Sequence, residues 1–234
     1  MADLQQCFGA TDLFNMESIS SDFHAQDSST NHSVDRVEVR GKSGGVACTA
    51  DDINGRTEYS ATYKYCGSTL GTHIDSILAT FGAVRDSKLI DRVTINTTAN
   101  DYPQIVINGH NHDENSHSAI TNSPQTYDGS GIVVHTGGVG AVDWFDLGEV
   151  GSCIASSSIV FSLDHQDFVC NAGDHGMGVS MAATAEGSVE YVGSVDESGL
   201  TGWTYISSDA SDSNRDVCKE TITAYKQLDP TSSE

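Results

Sequence analysis

Proline is scarce in this chain, with three in 234 residues, and so are cations: 11 Lys and Arg stand against 33 Asp and Glu, for a formal net charge of −22 at pH 7. Affinity for nucleic acid comes mostly from Lys and Arg displacing the counterions around phosphate, so this balance excludes a protein that grips DNA. No apolar run approaches the ~18 residues of a membrane helix, and no membrane partner is expected. Residues 1–6 lack the basic and apolar regions of a secretory signal, so synthesis and first folding are expected in a cytoplasm. The six cysteines, at 7, 48, 66, 153, 170 and 218, are widely spaced and contain no C-x-x-C pair. Reduced, mostly buried thiols are expected rather than a disulfide frame or a zinc cluster.

Hydrophobic residues make up 37% of the chain and charged residues only 19%, so Ser, Thr, Asn and Gly carry much of the polarity, as in turns and on strand faces. The length suits one large β domain or two small ones, either able to bury a core. With no Pro-rich or Gly/Ser linker dividing the chain, we expect an N-terminal arm over residues 1–33 and a single domain over 34–234. The arm is read as extended or looped, because Phe8, Leu13, Phe14, Met16 and Phe23 follow no sustained period. Their apolar character suits docking onto another surface, such as a neighbouring subunit.

From Val34 onward the pattern turns strand-like. Val37 and Val39 alternate with Arg36, Glu38 and Arg40, residues 41–45 form a glycine-rich turn, and Val46, Cys48 and Ala50 alternate again, which reads as a hairpin. Tyr59, Ala61, Tyr63 and Tyr65 share one face of a strand, a core face by preference. Ile74, Ile77, Leu78, Phe81 and Val84 fit one helix over residues 72–86, with Thr72 and Asp75 as its N-terminal cap. Residues 93–97 and 105–107 read as a second hairpin. Residues 132–135, 159–163, 179–183, 189–195, 203–206 and 221–225 each read as a short strand. The fold class that follows is mainly β: a β-sandwich or barrel of about ten short strands with one packed α-helix.

Catalytic patterns fail on their context. The run Gly41-Lys42-Ser43-Gly44-Gly45 lacks the upstream glycine and following helix of a phosphate-binding loop, and it lacks the strand-to-helix turn of a nucleophile elbow. Asp212 to Asp216 begin like a calcium loop, but Val217 and Thr223 stand where Gly and Glu are required. Asp164-His165 with Asp167, and Asp174-His175, pair acids with histidines, yet no Ser or Cys nucleophile can be assigned to them. His110-Asn111-His112 with His117 is the one candidate metal set: residues two apart on a strand point the same way, so two imidazoles could bind one ion and a third could close from the loop. The competing reading is an ordinary polar loop of exposed histidines. On that reading neither a metal nor any other cofactor is expected, and no enzymatic activity.

Taken together, the short Phe-rich arm, the hairpin over 36–49, the tyrosine strand 59–65, the helix 72–86, the paired strands ending in Gly109-His110-Asn111-His112 and the Gly-bounded strands of the second half resemble the major tail proteins of tailed bacteriophages, which build the tail tube. The resemblance spans most of the chain in style and has no single sharp motif. It implies a β-sandwich with a flanking helix, self-association into stacked hexameric rings, contacts with other virion proteins, location in the virion tail and no active site. The negative charge would then line a lumen through which DNA slides without adhering, over a Debye length of about 8 Å. Two alternatives remain open: another virion part, such as a capsid decoration or fibre protein, and a metal-dependent binding or enzymatic β domain built on the histidines.

Overall fold

The structure, a computed structural model, describes residues 10–68, 70–79, 84–85, 88–112, 126–127, 139–147, 153–169, 175–211, 218–228 and 230–231. It is mainly β. Eleven strands run in the order β1 (Phe23–Arg40), β2 (Val46–Tyr65), β3 (Val84–Arg85), β4 (Lys88–Thr98), β5 (Gln104–His112), β6 (Thr126–Tyr127), β7 (Cys153–Val169), β8 (His175–Val192), β9 (Thr204–Ser211), β10 (Lys219–Leu228) and β11 (Pro230–Thr231), with one helix among the described residues, α1 (Leu70–Ala79). Nine strands form one sheet in the order β1-β2-β5-β4-β7-β8-β10-β9, with β3 beside β4, and β11 pairs with β6 separately. All pairings are antiparallel.

The expected fold class therefore stands, with longer strands than the sequence suggested. β1, β2, β7 and β8 run to 18, 20, 17 and 18 residues. Segments 179–183 and 189–195, read as separate strands, belong largely to the single strand β8; Ala185, Gly187 and Val189 all stay buried across the gap between them. The hairpin around residues 41–45 closes as read, with the Gly41 N–H donating to the Gly45 carbonyl at 2.8 Å and Gly44 at φ 82°, a conformation that glycine takes without steric cost. Segment 132–135 lies outside the described residues.

One apolar cluster holds the fold together. Ala61, Tyr63 and Tyr65 of β2, Val93 and Ile95 of β4, Ile105 and Ile107 of β5, Ile159 and Phe161 of β7, Ala183, Ala185 and Val189 of β8, and Ile222 and Ala224 of β10 are all buried in it. Period-2 alternation puts each strand's set on one face, as the tyrosine pattern of β2 predicted. Among the described residues four pieces of chain cover that face: residues 10–22, the start of α1 through Leu70 and Ile74, residues 139–147 through Val142, Trp144 and Phe145, and residues 195–203 through Val195, Leu200 and Trp203.

Two covering segments are fixed by the same device. Asp12 accepts the Tyr63 hydroxyl at 2.7 Å and the N–H groups of Met16 and Glu17 at 2.8 Å, which secures the 3-10 turn Met16–Ser18 over the core. Asp143 accepts the Tyr191 hydroxyl at 2.5 Å and the Phe145 N–H at 3.1 Å. The buried phenols of Tyr63 and Tyr191 thus each find a carboxylate. Burial, with Asp143 beside it, pushes the Tyr191 hydroxyl far above the ordinary tyrosine range, so it stays a donor.

Several expectations need correction. The boundary at residue 33 falls inside β1, and Phe14, Met16 and Phe23 pack into this chain's own core rather than onto a neighbour. Their apolar side chains lacked a period because they cap the sheet from an irregular segment. The helix does not run over 72–86: α1 is described over Leu70–Ala79, Thr72 sits in its first turn instead of capping it, Val84–Arg85 form a strand beside β4, and residues 80–83, with Phe81, lie outside the described residues. The thiols of Cys48, Cys66 and Cys153 are free but exposed, and that of Cys218 is half-buried, so the expectation of mostly buried thiols fails for these four.

Candidate functional site

β5 changes character along its length. Ile105, Ile107 and Gly109 alternate onto the core face, and the unbroken register with β2 from Lys64↔Gln104 to Arg56↔His112 keeps that alternation intact. His110 and His112 consequently lie on the opposite face, yet each is only 2% exposed. Leu89, paired to His110 across β4, is fully buried and stands outside the main core cluster, so this second face has a small interior of its own.

A register shift between Ile90 and Arg92 leaves Asp91 as the extra residue of β4, a bulge of the kind that re-aims a side chain. The Asp91 carboxylate meets His110 Nδ1 at 3.0 Å. β7 pairs with β4 only as far as Ser162, and its continuation carries His165 and Asp167 into the same cluster. Asp167 Oδ2 lies 3.3 Å from His110 Nε2, 3.1 Å from His112 Nε2 and 3.6 Å from Arg56 Nη1, while Oδ1 lies 3.0 Å from His165 Nε2. The His110 ring stands perpendicular to that of His112 at 5.6 Å and 5.5 Å from that of His165.

One half-buried carboxylate therefore gathers three imidazoles and a guanidinium. Burial works against the Asp167 anion, but the hydrogen bonds from His110, His112 and His165 outweigh it and hold its pKa far below the usual carboxylate range. Burial likewise opposes a charged His110, and the carboxylates of Asp167 and Asp91 outweigh burial and the Arg56 charge to raise its pKa. A cleft of ≈ 290 Å³ lined by Arg56, Asp91, Arg92, His110, His165 and Asp167 opens onto the cluster. His110, His112 and Asp167 each present one donor atom, all within 4.8 Å of one another, the spacing of a metal-binding set.

Of the sequence candidates, His110 and His112 come together and His117 lies outside the described residues. The reading of residues 109–118 as an exposed polar loop is overturned for 109–112, which belong to β5 with both imidazoles buried, and residues 113–118 lie outside the described residues. Asp167 and His165 were seen only as acid-histidine neighbours, and Asp91 and Arg56 were not singled out at all. A signal existed in the matching patterns His110-x-His112 and His165-x-Asp167, each placing two donors on one face of a strand, but pairing those strands needed the register. Residues 41–45 are a hairpin turn, and the calcium-like residues 212–216 lie outside the described residues. Among the described residues no helix is long and apolar enough to cross a membrane.

No protein-family model matches this chain, and no curated protein matches it.

Proposed function

We propose that this chain is a non-enzymatic virion structural protein that assembles into the tail tube of a tailed bacteriophage, with an acidic lumen for the passage of DNA. The observation that carries the reading is the distal part of the β1–β2 hairpin. Every residue of β1 and β2 from 34 to 49 whose side chain is described is exposed, including Val34, Val39 and Val46 at 43, 52 and 53%. An isolated two-stranded ribbon is marginal in water, and valines exposed on it invite burial against another copy. Among the described residues the sheet also ends in two strands paired on one side only, β1 and β9, and β9 exposes Tyr205 and Ile206. Open edges of this kind are templates for strand addition between subunits.

Charge supports the same contact. Residues 34–49 carry Arg36, Arg40 and Lys42 against Asp35 and Glu38, a net of +1, while the rest of the chain holds eight cations against 31 anions, a net of −23. A cationic ribbon tip fits the acidic body of a neighbouring copy. Repulsion between the bodies opposes assembly; it acts over longer distances than the tip contact and is screened first, so added NaCl should promote assembly. The partners on this reading are further copies of the chain in stacked hexameric rings and other virion proteins, with DNA a passenger that the wall repels.

Negative-stain microscopy and sedimentation of the purified chain against ionic strength test the reading. Tubes or six-fold rings that grow with salt are expected, and replacing residues 35–53 by Asn-Gly should leave folded monomers, as should the paired change Arg40→Glu, Lys42→Glu. Compact trimers would point to a decoration or fibre protein, and monomers at every ionic strength would overturn self-assembly altogether.

A further inference from the structure

We propose that His110, His112 and Asp167 form a binding site for one first-row divalent metal ion of the zinc class, with Asp91 as its orienting outer carboxylate. The site stands apart from the tail-tube reading and holds whether or not the chain builds tubes.

Distance is the first argument. A tetrahedral ion with ligands at about 2.0–2.2 Å holds them about 3.3–3.6 Å apart. Asp167 Oδ2 lies 3.3 Å from His110 Nε2 and 3.1 Å from His112 Nε2, two edges of such a tetrahedron already near their bound length. The donors of all three residues lie within 4.8 Å of one another, so an ion enters with small side-chain rotations and no change of backbone register.

The surroundings supply the rest. Asp91 Oδ2 at 3.0 Å from His110 Nδ1 orients the ring so that Nε2 faces Asp167, and the ion would take the place of the proton that Nε2 shares with Asp167, giving the carboxylate–histidine–metal arrangement that sets tautomer and ring orientation. His165 Nε2, 3.0 Å from Asp167 Oδ1, holds the far oxygen and leaves Oδ2 as the ligating one. Both imidazoles are nearly fully buried, so their rotamer freedom is already spent before the ion arrives. Two nitrogens and one carboxylate oxygen select a borderline ion over calcium or magnesium, which favour shells of oxygen. The cleft lined by His110, His165, Asp167, Arg56 and Arg92 gives a route in and room for a water or an anion as fourth ligand. Two features oppose the ion: the charge of Arg56, 3.6 Å from Asp167 Oδ2, which the carboxylates of Asp91 and Asp167 must offset, and the proton on the imidazoles, which must leave as the ion binds.

The ligands come from two strands, β5 and β7, that do not pair with each other. An ion here would tie the distal β7–β8 hairpin to the β2–β5 part of the sheet and raise the stability of the native chain.

The test uses the full chain, stripped with chelator, then titrated with Co²⁺ and separately with Zn²⁺. Expected are saturation at one ion per chain, a tetrahedral cobalt spectrum in the visible, and a melting temperature that rises with Zn²⁺ and falls back on chelation. His112→Ala should abolish saturable binding, and Asp91→Asn, which keeps all three ligands, should weaken it about 10- to 100-fold. Circular dichroism of both variants checks that they are folded, and the wild-type titration stands even if His112→Ala is not. Absence of one-to-one binding by the wild-type chain overturns the proposal, as does binding equal in wild type and Asp91→Asn, which would place the ion on surface histidines.

Discussion

At its root the β1–β2 hairpin buries Phe23, Ala61, Tyr63 and Tyr65, whereas at its tip Val39 and Val46 are more than half exposed. The backbone ladder is nearly the same at both ends: Phe23↔Tyr65 to Ala25↔Tyr63 at one, Val37↔Ala50 to Arg40↔Val46 at the other. Hydrogen bonding therefore does not distinguish them. Water satisfies the same backbone groups in the unfolded chain, so each bond adds only about 1 kcal/mol net, while each large side chain buried at the root contributes about 1.5–3 kcal/mol. The root is held by this chain's core, and among the described side chains the tip has none.

The sharpest way to test that contrast is to remove a ring from the root. Tyr63→Ala should cost about 3–5 kcal/mol of unfolding free energy, because it opens a cavity beside Phe23 and removes the hydroxyl partner of Asp12. Chemical denaturation of the isolated chain measures it. A loss below about 1 kcal/mol would mean that the root is no better packed than the tip. Deleting residues 1–31 should be worse still, since Phe14, Met16 and Phe23 would leave the core together.

A smaller effect separates the two faces of the sheet near the candidate site. A Cβ at Gly109 would stand 2.4 Å from the Leu89 carbonyl oxygen and 3.0 Å from a Phe14 ring carbon. The ring can give way and the backbone of β4 cannot, so Gly109→Ala should cost about 1–3 kcal/mol and move the neighbouring Leu89–Asp91 backbone. Urea denaturation checks the stability, and a shift of the His110 imidazole resonances would show that strain on the core face reaches the polar cluster on the other.

At the tip, Val39→Ser should change the stability of the monomer by no more than about 0.5 kcal/mol while lowering self-association, read by sedimentation under assembling salt. A large fall in monomer stability would show that the ribbon packs on its own chain after all.

The smallest expected effect lies at the far edge of the sheet. Glu220 accepts the Val195 N–H at 2.9 Å and the Ser208 hydroxyl at 2.9 Å, and these hydrogen bonds hold its pKa below the ordinary glutamate value. A lowered folded-state pKa contributes stability that is present above the unfolded value and is lost as the pH falls through the folded one. Glu220→Gln should therefore be slightly less stable than wild type at neutral pH, with the gap closing below about pH 4. A gap independent of pH would assign the loss to packing.

How much of this was legible beforehand differs between the two regions. The β1–β2 hairpin was readable from residues close in sequence: alternating Val37 and Val39, the glycine turn 41–45 and the tyrosine face of β2 are local patterns with period 2. The N-terminal segment was not, because Asp12, Phe14 and Met16 act through Tyr63, some fifty positions away, and no period records such a contact. Likewise the helix was placed too far along the chain, since the apolar spacing of Val84 that extended it serves a strand beside β4.

By itself the sequence determined the mainly β class, a helix near residues 70–79, the turn at 41–45 and the excess of negative charge, all of which follow from composition and short-range alternation. Only the tertiary structure decided that His110 and His112 face away from the apolar core, that Asp91 bulges toward them, and that Asp167 arrives from β7 to meet both. The reason is physical: alternation fixes which residues of one strand share a face, but which face is covered, and by what, depends on register shifts and on strands distant in the chain.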